Sequence, residues 1–153
     1  MPVRARQRKR LMSYTTQELS LQLPGKDLQD SSINILRLND LGTSLVITRG
    51  ALGDGETLRS HFEAQVAKLA KQVKDLRCSA VQDVQVGPAQ AIVGVELRSQ
   101  FSKGPEQVYQ FQLGVLLADG RRLLALSYVK PTPLDDADAA HWAQIKHSLS
   151  LNG

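Results

Sequence analysis

The chain has 153 residues, of which 42% are hydrophobic, 5% aromatic and 22% charged, a composition that excludes a disordered or fibrous chain. No apolar run approaches the ~18 residues of a membrane-spanning helix. The single cysteine, Cys78, excludes an internal disulfide and a multi-cysteine metal site. We therefore predict a globular protein of a reducing, cytoplasmic compartment, without stable membrane anchoring.

The net charge of +4 originates in a basic leader that carries five cations, Arg4, Arg6, Arg8, Lys9 and Arg10. The rest of the chain sums to −1, so the domain itself is nearly neutral. Such a run is too charged to pack and lacks the apolar segment of a secretory signal. We predict a disordered leader over residues 1–12, either a solvated or misassigned start or a binder of phosphate or anionic lipid. Residues 13–153 are predicted to form a single domain that binds no nucleic acid.

The first two predicted strands precede the longest helix. In ELSLQL, three leucines alternate with polar residues, which predicts a strand with one apolar face that ends at Pro24 and Gly25. In the next run, SSINILRL, Ile33 and Ile35 lie on one face while Leu36 lies on the other. The second strand is therefore partly apolar on both faces.

A third strand and a long amphipathic helix form the centre of the predicted fold. Leu45, Val46 and Ile47 are consecutive, so this strand also carries apolar groups on both faces. A turn with three glycines follows, and it supplies Asp54 as a helix cap. From about Thr57, apolar residues recur every three or four positions, at Leu58, Phe62, Val66, Leu69, Val73 and Leu76.

The second half of the chain predicts an antiparallel meander and a closing helix. Four strands are expected, at residues 78–86, 89–99, 108–118 and 122–129. Asp119 and Gly120 predict a two-residue hairpin between the last two strands. Acidic residues then open a helix that packs through Trp142. The order strands, helix, strands, helix predicts an α+β fold with an antiparallel sheet of about six or seven strands and two main helices.

Catalytic and metal-binding patterns are weak in the sequence. Three histidines form no i,i+4 pair, and neither a phosphate-binding loop nor a nucleophile elbow is present. Asp135, Asp136 and Asp138 are read as acids at a helix amino terminus rather than as cation ligands. We therefore predict a protein that is not an enzyme and that uses neither a cofactor nor a metal.

The strands carry more apolar surface than two helices on one face of the sheet would cover. The uncovered candidates are Ile33, Ile35, Leu45, Val46, Ile47 and Leu116. Two interpretations stay open: a homodimer or tightly curled sheet buries this surface, or it forms a groove for an apolar ligand or peptide segment. Gln110 and Gln112 lie on an otherwise buried strand and are suited to hydrogen bonds with such a guest.

Four stretches of sequence in this order resemble a known family. They are ELSLQLPGKDLQDSSINIL, SLVITRGALGDGETL, and the pair DGRRLLALSY and HWAQIKHSLSL. Together, over about residues 14–151, they resemble the DcrB-like family, most closely its Eag-type members, the adaptor chaperones of bacterial type VI secretion. The resemblance implies a PsbP-like α+β fold with a curved sheet. The lipid-anchored branch of this family is disfavoured, because no signal with a lipidated cysteine is present.

The resemblance also implies partners and a site. Family members are expected to form homodimers whose concave sheet faces hold the amino-terminal transmembrane segments of PAAR-containing toxins before export. The positions of this chain that match the client-binding places of the family are Ile33, Ile35, Val46, Gln65 and Gln110, with Gln112 replacing Gln110 if the strand register differs by two. The alternatives are a carrier of an apolar small ligand, a nucleic-acid binder acting through the leader, and an uncharacterised enzyme.

Overall fold

The computed structural model describes residues 11–152. Most of the predicted leader lies outside these residues, but Met12, which we had assigned to it, begins a strand. The described chain divides into two compact units, one ending at Asp30 and the other beginning at Ser31. The sequence pattern did not indicate this division.

The first unit contains a β-hairpin of strands β1 (Met12–Thr15) and β2 (Ser20–Leu23). The two strands pair antiparallel, with Tyr14 opposite Leu21 on the apolar side. On the polar side, the Gln22 amide donates to the Ser13 hydroxyl at 3.0 Å. The leucine alternation correctly predicted β2, whereas β1 was missed because it is short and directly follows the basic run.

The second unit is a seven-stranded antiparallel sheet with two helices. Its strands are β3 (Asn34–Leu38), β4 (Thr43–Ala51), β5 (Lys74–Cys78), β6 (Gln82–Val86), β7 (Ile92–Lys103), β8 (Glu106–Leu116) and β9 (Arg122–Lys130). The order is β3-β4-β9-β8-β7-β5, with β6 also paired to β7. The helices are α1 (Leu58–Ala70) and α2 (Asp136–Ser148). The predicted α+β fold and the meander β7-β8-β9 are confirmed.

Helix α1 begins and ends differently from the prediction. Its cap is Thr57, whose hydroxyl accepts from the Ser60 backbone N–H at 3.0 Å, and not Asp54. At the other end, the Val73 N–H closes the last turn onto the Leu69 carbonyl at 3.1 Å. The chain then enters β5, so the apparent continuation of the helical stripe to residue 76 belongs to a strand. A spacing of three and four residues across a turn cannot by itself distinguish these cases.

The two helices contact opposite faces of the sheet, which corrects the prediction that both cover one face. Strand β8 shows why, because successive side chains of a strand point to opposite sides. Leu113 and Val115 pack with Trp142 of α2 on one side, which we call the α2 face. Gly114, between them, lies under Phe62 of α1 on the other side, the α1 face.

The α2 face carries the larger core. Leu113, Val115 and Tyr128 have no exposed surface, and Phe111 stacks on Trp142 with ring centroids 5.8 Å apart. Leu45 and Ile47 of β4 pack against this core. Two residues that we had assigned to the uncovered face are therefore covered by α2, while Val46 between them points to the α1 face.

The strand predicted at residues 78–86 corresponds to β6 and to the last residue of β5, Cys78, with a segment outside either strand between them. Both pair with β7 from the same side, and the chain leaves the sheet edge between them. There the Arg59 guanidinium of α1 binds the Val81 carbonyl and pairs with Asp83 at 2.9 Å. The Arg59 side chain of α1 thus binds the chain where it passes from β5 to β6.

The close packing of the Phe62 ring on Gly114 leads to a stability prediction. A Cβ at residue 114 would overlap the Phe62 ring, so Gly114→Ala must displace α1 or strain the core. We expect it to lower the free energy of unfolding by ~1–3 kcal/mol, the cost of overpacking, as measured by urea denaturation. The matched control is Gly50→Ala, whose Cβ would meet only Leu123 at 3.8 Å. An equal loss of stability in both variants would contradict the packing of Phe62 on Gly114 described here.

Candidate functional site

A groove lies between α1 and the sheet on the α1 face. It has a volume of about 470 Å³, which falls within the ~300–1,000 Å³ typical of ligand pockets. Its floor comes from β4, β7, β8 and β9, and its wall is one side of α1. The residues that matter most here are Leu97, Gln110, Gln112, Ala125, Ser127, Phe62, Gln65, Val66 and Leu69. The lining thus combines apolar side chains with amides and hydroxyls, and Arg49, His61 and Lys68 also contribute to it.

Two of the predicted glutamines lie side by side on the floor of this groove. The Gln110 amide donates to the Ser99 hydroxyl at 3.0 Å, and the Gln112 amide donates to the Ser127 hydroxyl at 3.2 Å. A glutamine has two N–H donors and a carbonyl that can accept twice, so each side chain keeps capacity beyond the bond described. Residues two apart on a strand share a face. Both glutamines therefore belong to the groove, and the choice between them is unnecessary.

The third glutamine approaches from the opposite wall. Gln65 is exposed, lines the groove from α1, and follows the buried Phe62 by one helical turn. The structure thus brings Gln65 to the same groove as Gln110 and Gln112, which lie 45 residues or more further along the sequence. Their amides are available to one guest.

The three predicted aliphatic residues extend the same face but do not line the groove. Cross-strand pairing places Ile35 opposite Val46, Val46 opposite Ser127, Ser127 opposite Gln112, and Gln112 opposite Leu97. We call this row of five residues the strip. Val46 is half-buried, and Ile35 at the sheet edge is 57% exposed. Ile33, just before β3, is 60% exposed.

The strip is apolar at both ends and polar in the middle. Ile35 and Val46 offer burial to an apolar guest, since removing apolar area from water is favourable by ~25 cal/mol per Å², whereas Leu97 is already buried beside Phe62 of α1. Gln112 and Ser127 offer hydrogen bonds to any polar group that the guest carries. Among residues 11–152, no His, Cys, Asp or Glu cluster could hold a metal ion. The arrangement is suited to holding an apolar chain segment.

Sequence reasoning missed the two serines that orient the glutamines. Ser127 faces Gln112, and Ser99 faces Gln110, on the neighbouring strands of the meander. A signal was available for Ser127, because a two-residue hairpin at Asp119 and Gly120 sets the register that pairs it with Gln112. Ser127 was nevertheless not predicted to lie beside Gln112.

A second polar cluster lies on the α2 face. The Asp138 carboxylate, with a relative exposure of 3%, accepts hydrogen bonds from the Tyr128 hydroxyl at 2.8 Å and the Lys130 ammonium at 2.7 Å. It also accepts from the Asp135 N–H at 2.9 Å, while Asp135 caps α2 by accepting from the Asp138 N–H. The sequence predicted acids at this helix terminus, but not that one of them is buried in a network.

The electrostatics of this cluster favour an ionised Asp138. Burial raises its pKa, but the hydrogen bonds from Lys130, Asp135 and Tyr128 outweigh burial and hold the pKa well below its usual range. Burial, together with the bond to Asp138, raises the pKa of Tyr128 to about 12, so its hydroxyl remains a donor at neutral pH. The cluster joins α2 to β9 and lies on the face opposite the groove.

Asp138→Asn should therefore change both stability and its pH dependence. We expect a loss of ~1–3 kcal/mol at neutral pH, because the half-buried Lys130 keeps only the more distant Asp135, at 3.7 Å, as a charged partner. The native pKa of Asp138 lies below the unfolded value of ~3.9, so its stabilisation is complete above that value and is lost as the pH falls through the native pKa. Urea denaturation from pH 7 downwards should show a shallower acid loss for the variant than for the parent.

The control for this prediction is Asp136→Asn, in the same first turn of α2. Asp136 is exposed, and its interaction with the helix dipole is worth only ~0.3–1 kcal/mol. An equal loss in both variants would show that the Asp138 network does not contribute as described.

Residues 18–148 match the DcrB family. Because this match covers most of the chain, the protein belongs to the DcrB family, as its motifs predicted. No curated protein matches the sequence at a significant level. The crystal structure of PA94, a protein of unknown function from Pseudomonas aeruginosa, is similar with a TM-score of 0.68.

That similarity covers 94% of this chain and 98% of PA94, at 21% sequence identity. At this identity it shows a shared fold and nothing further. Neither helix in the described part of the chain is long and apolar enough to cross a membrane. The closer resemblance to Eag-type adaptors stays a prediction.

Proposed function

We propose that this DcrB-family protein is an adaptor chaperone of bacterial type VI secretion, of the Eag type. In this proposal it acts in the cytoplasm as a homodimer without enzymatic activity. It binds the hydrophobic amino-terminal transmembrane segments of a PAAR-containing toxin and shields them until the toxin is loaded for export. The observation that carries the proposal is the strip, in which the exposed Ile35 and the half-buried Val46 lie in one row with the amide of Gln112 at the edge of the groove.

The client sets a clear physical requirement. A transmembrane segment of about 20 apolar residues is insoluble in cytoplasm unless its surface is covered. Burying one aliphatic side chain contributes ~1.5–3 kcal/mol, so a few contacts with residues such as Ile35 and Val46 retain the segment. The contacts need not be specific in shape, which suits a chaperone that must later release its client.

The glutamines answer a second requirement. Transmembrane helices associate partly through Ser, Thr, Asn and Gln side chains, and a polar group left unpaired in an apolar contact is costly. Gln65 on the helix wall and Gln112 on the floor approach the groove from two sides. They can pair with the polar groups that a client helix would otherwise present to another helix in the membrane.

One alternative has its own support. The groove volume of about 470 Å³ would also suit an apolar small ligand, which would lie between α1 and the sheet. Such a ligand would contact Phe62, Val66 and Leu69 but would leave Ile33 and Ile35 uncovered. The exposure of those two residues favours the larger client.

Val46→Gln tests the client proposal. Val46 lies in the strip, and an amide there removes apolar contact worth ~1.5–3 kcal/mol, about a tenfold to hundredfold loss of affinity. We expect the variant to fold and dimerise but to stop keeping the client segment in the soluble fraction during co-expression. The readout is the amount of client that co-purifies with the tagged chaperone.

Two further variants complete this experiment. Val93→Gln makes the same change at a valine that is 65% exposed and outside the strip, so client should still co-purify. Val66→Gln, on the packed side of α1, should destabilise the fold instead. Retention of client by Val46→Gln at the parental level would contradict the proposal. Loss of a bound small molecule without loss of client would support the carrier.

A further inference from the structure

A second cleft lies on the α2 face, between α2 and the segment that joins β5 to β6. Its volume of about 360 Å³ falls within the ~300–1,000 Å³ typical of ligand pockets. Its floor comes from β7 and β8, one wall is α2, and the other wall includes Ser79 and Gln82. The sheet separates this cleft from the groove, so the two can be occupied independently.

Two stacked aromatic rings and two cations line the cleft, with one cation over each ring. The Phe111 ring, stacked on Trp142, lies under the Arg98 guanidinium, whose carbon is 5.5 Å from the ring centroid. The Lys146 ammonium nitrogen lies 5.8 Å from the centroid of the Trp142 ring. A cation is attracted to the negative face of an aromatic ring, so each ring orients its cation in the cleft.

Only one of these two cations has a carboxylate partner in the described chain. Lys146 pairs with Glu96 of β7 at 2.8 Å, and this pair joins α2 to the floor of the cleft. Arg98 lies two residues further along β7 on the same face, and it forms no ion pair with any carboxylate of residues 11–152. A guanidinium that stacks on a ring keeps the N–H donors in its own plane free. Arg98 therefore presents unused donors to the cleft.

The charges of the cleft match a ligand with a single negative charge. Its two cations and the one anion, Glu96, leave one positive charge unbalanced. The guanidinium of Arg98 fits a carboxylate through two parallel hydrogen bonds. Gln82, paired opposite Glu96 on β6, forms no side-chain hydrogen bond within the described chain, so its amide can add a further bond to the ligand. A phosphate dianion would carry more charge than the cleft balances.

We propose that this cleft binds a small organic carboxylate. The carboxylate pairs with the Arg98 guanidinium, and an apolar group attached to it lies beside Phe111 and Trp142. A free aromatic acid and the carboxy terminus of a peptide that ends in phenylalanine both offer this chemistry. The site is independent of the proposed function, because the cleft and the groove lie on opposite faces of the sheet.

Titration of the full chain with 4-phenylbutyrate tests the proposal. Trp142 is the only tryptophan of the chain and lines the cleft, so its fluorescence reports on occupancy, and calorimetry measures binding independently. We expect saturable binding, weakened ~10-fold or more for 4-phenylbutyramide, which has a similar shape without the charge. Equal binding of the acid and the amide would overturn the proposal.

A second probe distinguishes the two sources of the carboxylate. It is an acetylated tripeptide that ends in phenylalanine with a free carboxy terminus, compared with the same peptide as its amide. Tighter binding of this peptide than of 4-phenylbutyrate assigns the cleft to a chain terminus, and weaker binding assigns it to a free acid. The absence of saturable binding by either acid would overturn the proposal.

Three single substitutions locate the bound acid. Arg98→Gln removes the guanidinium at an exposed position, and we expect Kd to rise ~10-fold or more. Lys68→Gln also replaces a cation by an amide, but in the groove, and should leave Kd unchanged. Glu96→Gln removes the negative charge two residues from Arg98, so Kd should fall by ~3-fold or more. A merely structural role of Arg98 would not produce these opposite shifts.

The opposite results would each overturn the site. An unchanged Kd in Arg98→Gln, or a loss of binding in Lys68→Gln instead, would place the acid outside the cleft. Displacement of the acid by inorganic phosphate at an equal concentration would contradict the preference for a single negative charge. If urea denaturation shows that Arg98→Gln does not fold, the comparison of acid with amide and the Glu96→Gln variant decide the point without it.

Discussion

The contact between Phe62 and Gly114 organises the second unit. Because residue 114 has no side chain, an aromatic ring can lie directly on the sheet, and α1 approaches β8 closely. That approach places α1 on the face where Gln110 and Gln112 emerge from the same strand. The helix becomes the wall of a groove with amides on its floor. With α1 on this face, the aliphatic side chains of the other face require a separate cover, and α2 provides it.

Strand β8 therefore serves two purposes through alternation alone. Its odd-numbered side chains, such as Leu113 and Val115, are fully buried under α2 and hold the fold together. Among its even-numbered residues, Gln110 and Gln112 line the groove and Gly114 makes room for Phe62 of α1. The main core and the groove thus lie on opposite faces of one strand, so the side chains of the groove can vary in chemistry without entering the main core.

Much of the fold follows from local pattern. The alternation of apolar and polar residues, together with the turn residues, was sufficient to predict the meander β7-β8-β9. The Asp119-Gly120 turn also sets the pairing of Gln112 with Ser127. Gln110 and Gln112 were predicted from their polar character on an otherwise buried strand, whereas Gln65 was predicted only from the resemblance to a family. The face that each helix covers was wrong, because apolar residues on both sides of β4 do not reveal which helix covers which side. Gly114 marks the face that α1 covers, because the Phe62 ring lies on it. A glycine inside a strand has several possible explanations, however, so the sequence alone does not identify this contact.

Asp138 couples the capping of α2 to the docking of α2 on the sheet. The same carboxylate belongs to the box that starts α2 and accepts the hydrogen bonds from Tyr128 and Lys130 that dock α2 on the sheet. If the helix detaches, its first turn loses the geometry that caps it, and if the first turn frays, the sheet loses its anchor. Amide hydrogens at the start of α2 should therefore exchange together with those of β9. The carboxy-terminal helix behaves as a cooperative part of the sheet and not as an independent appendage.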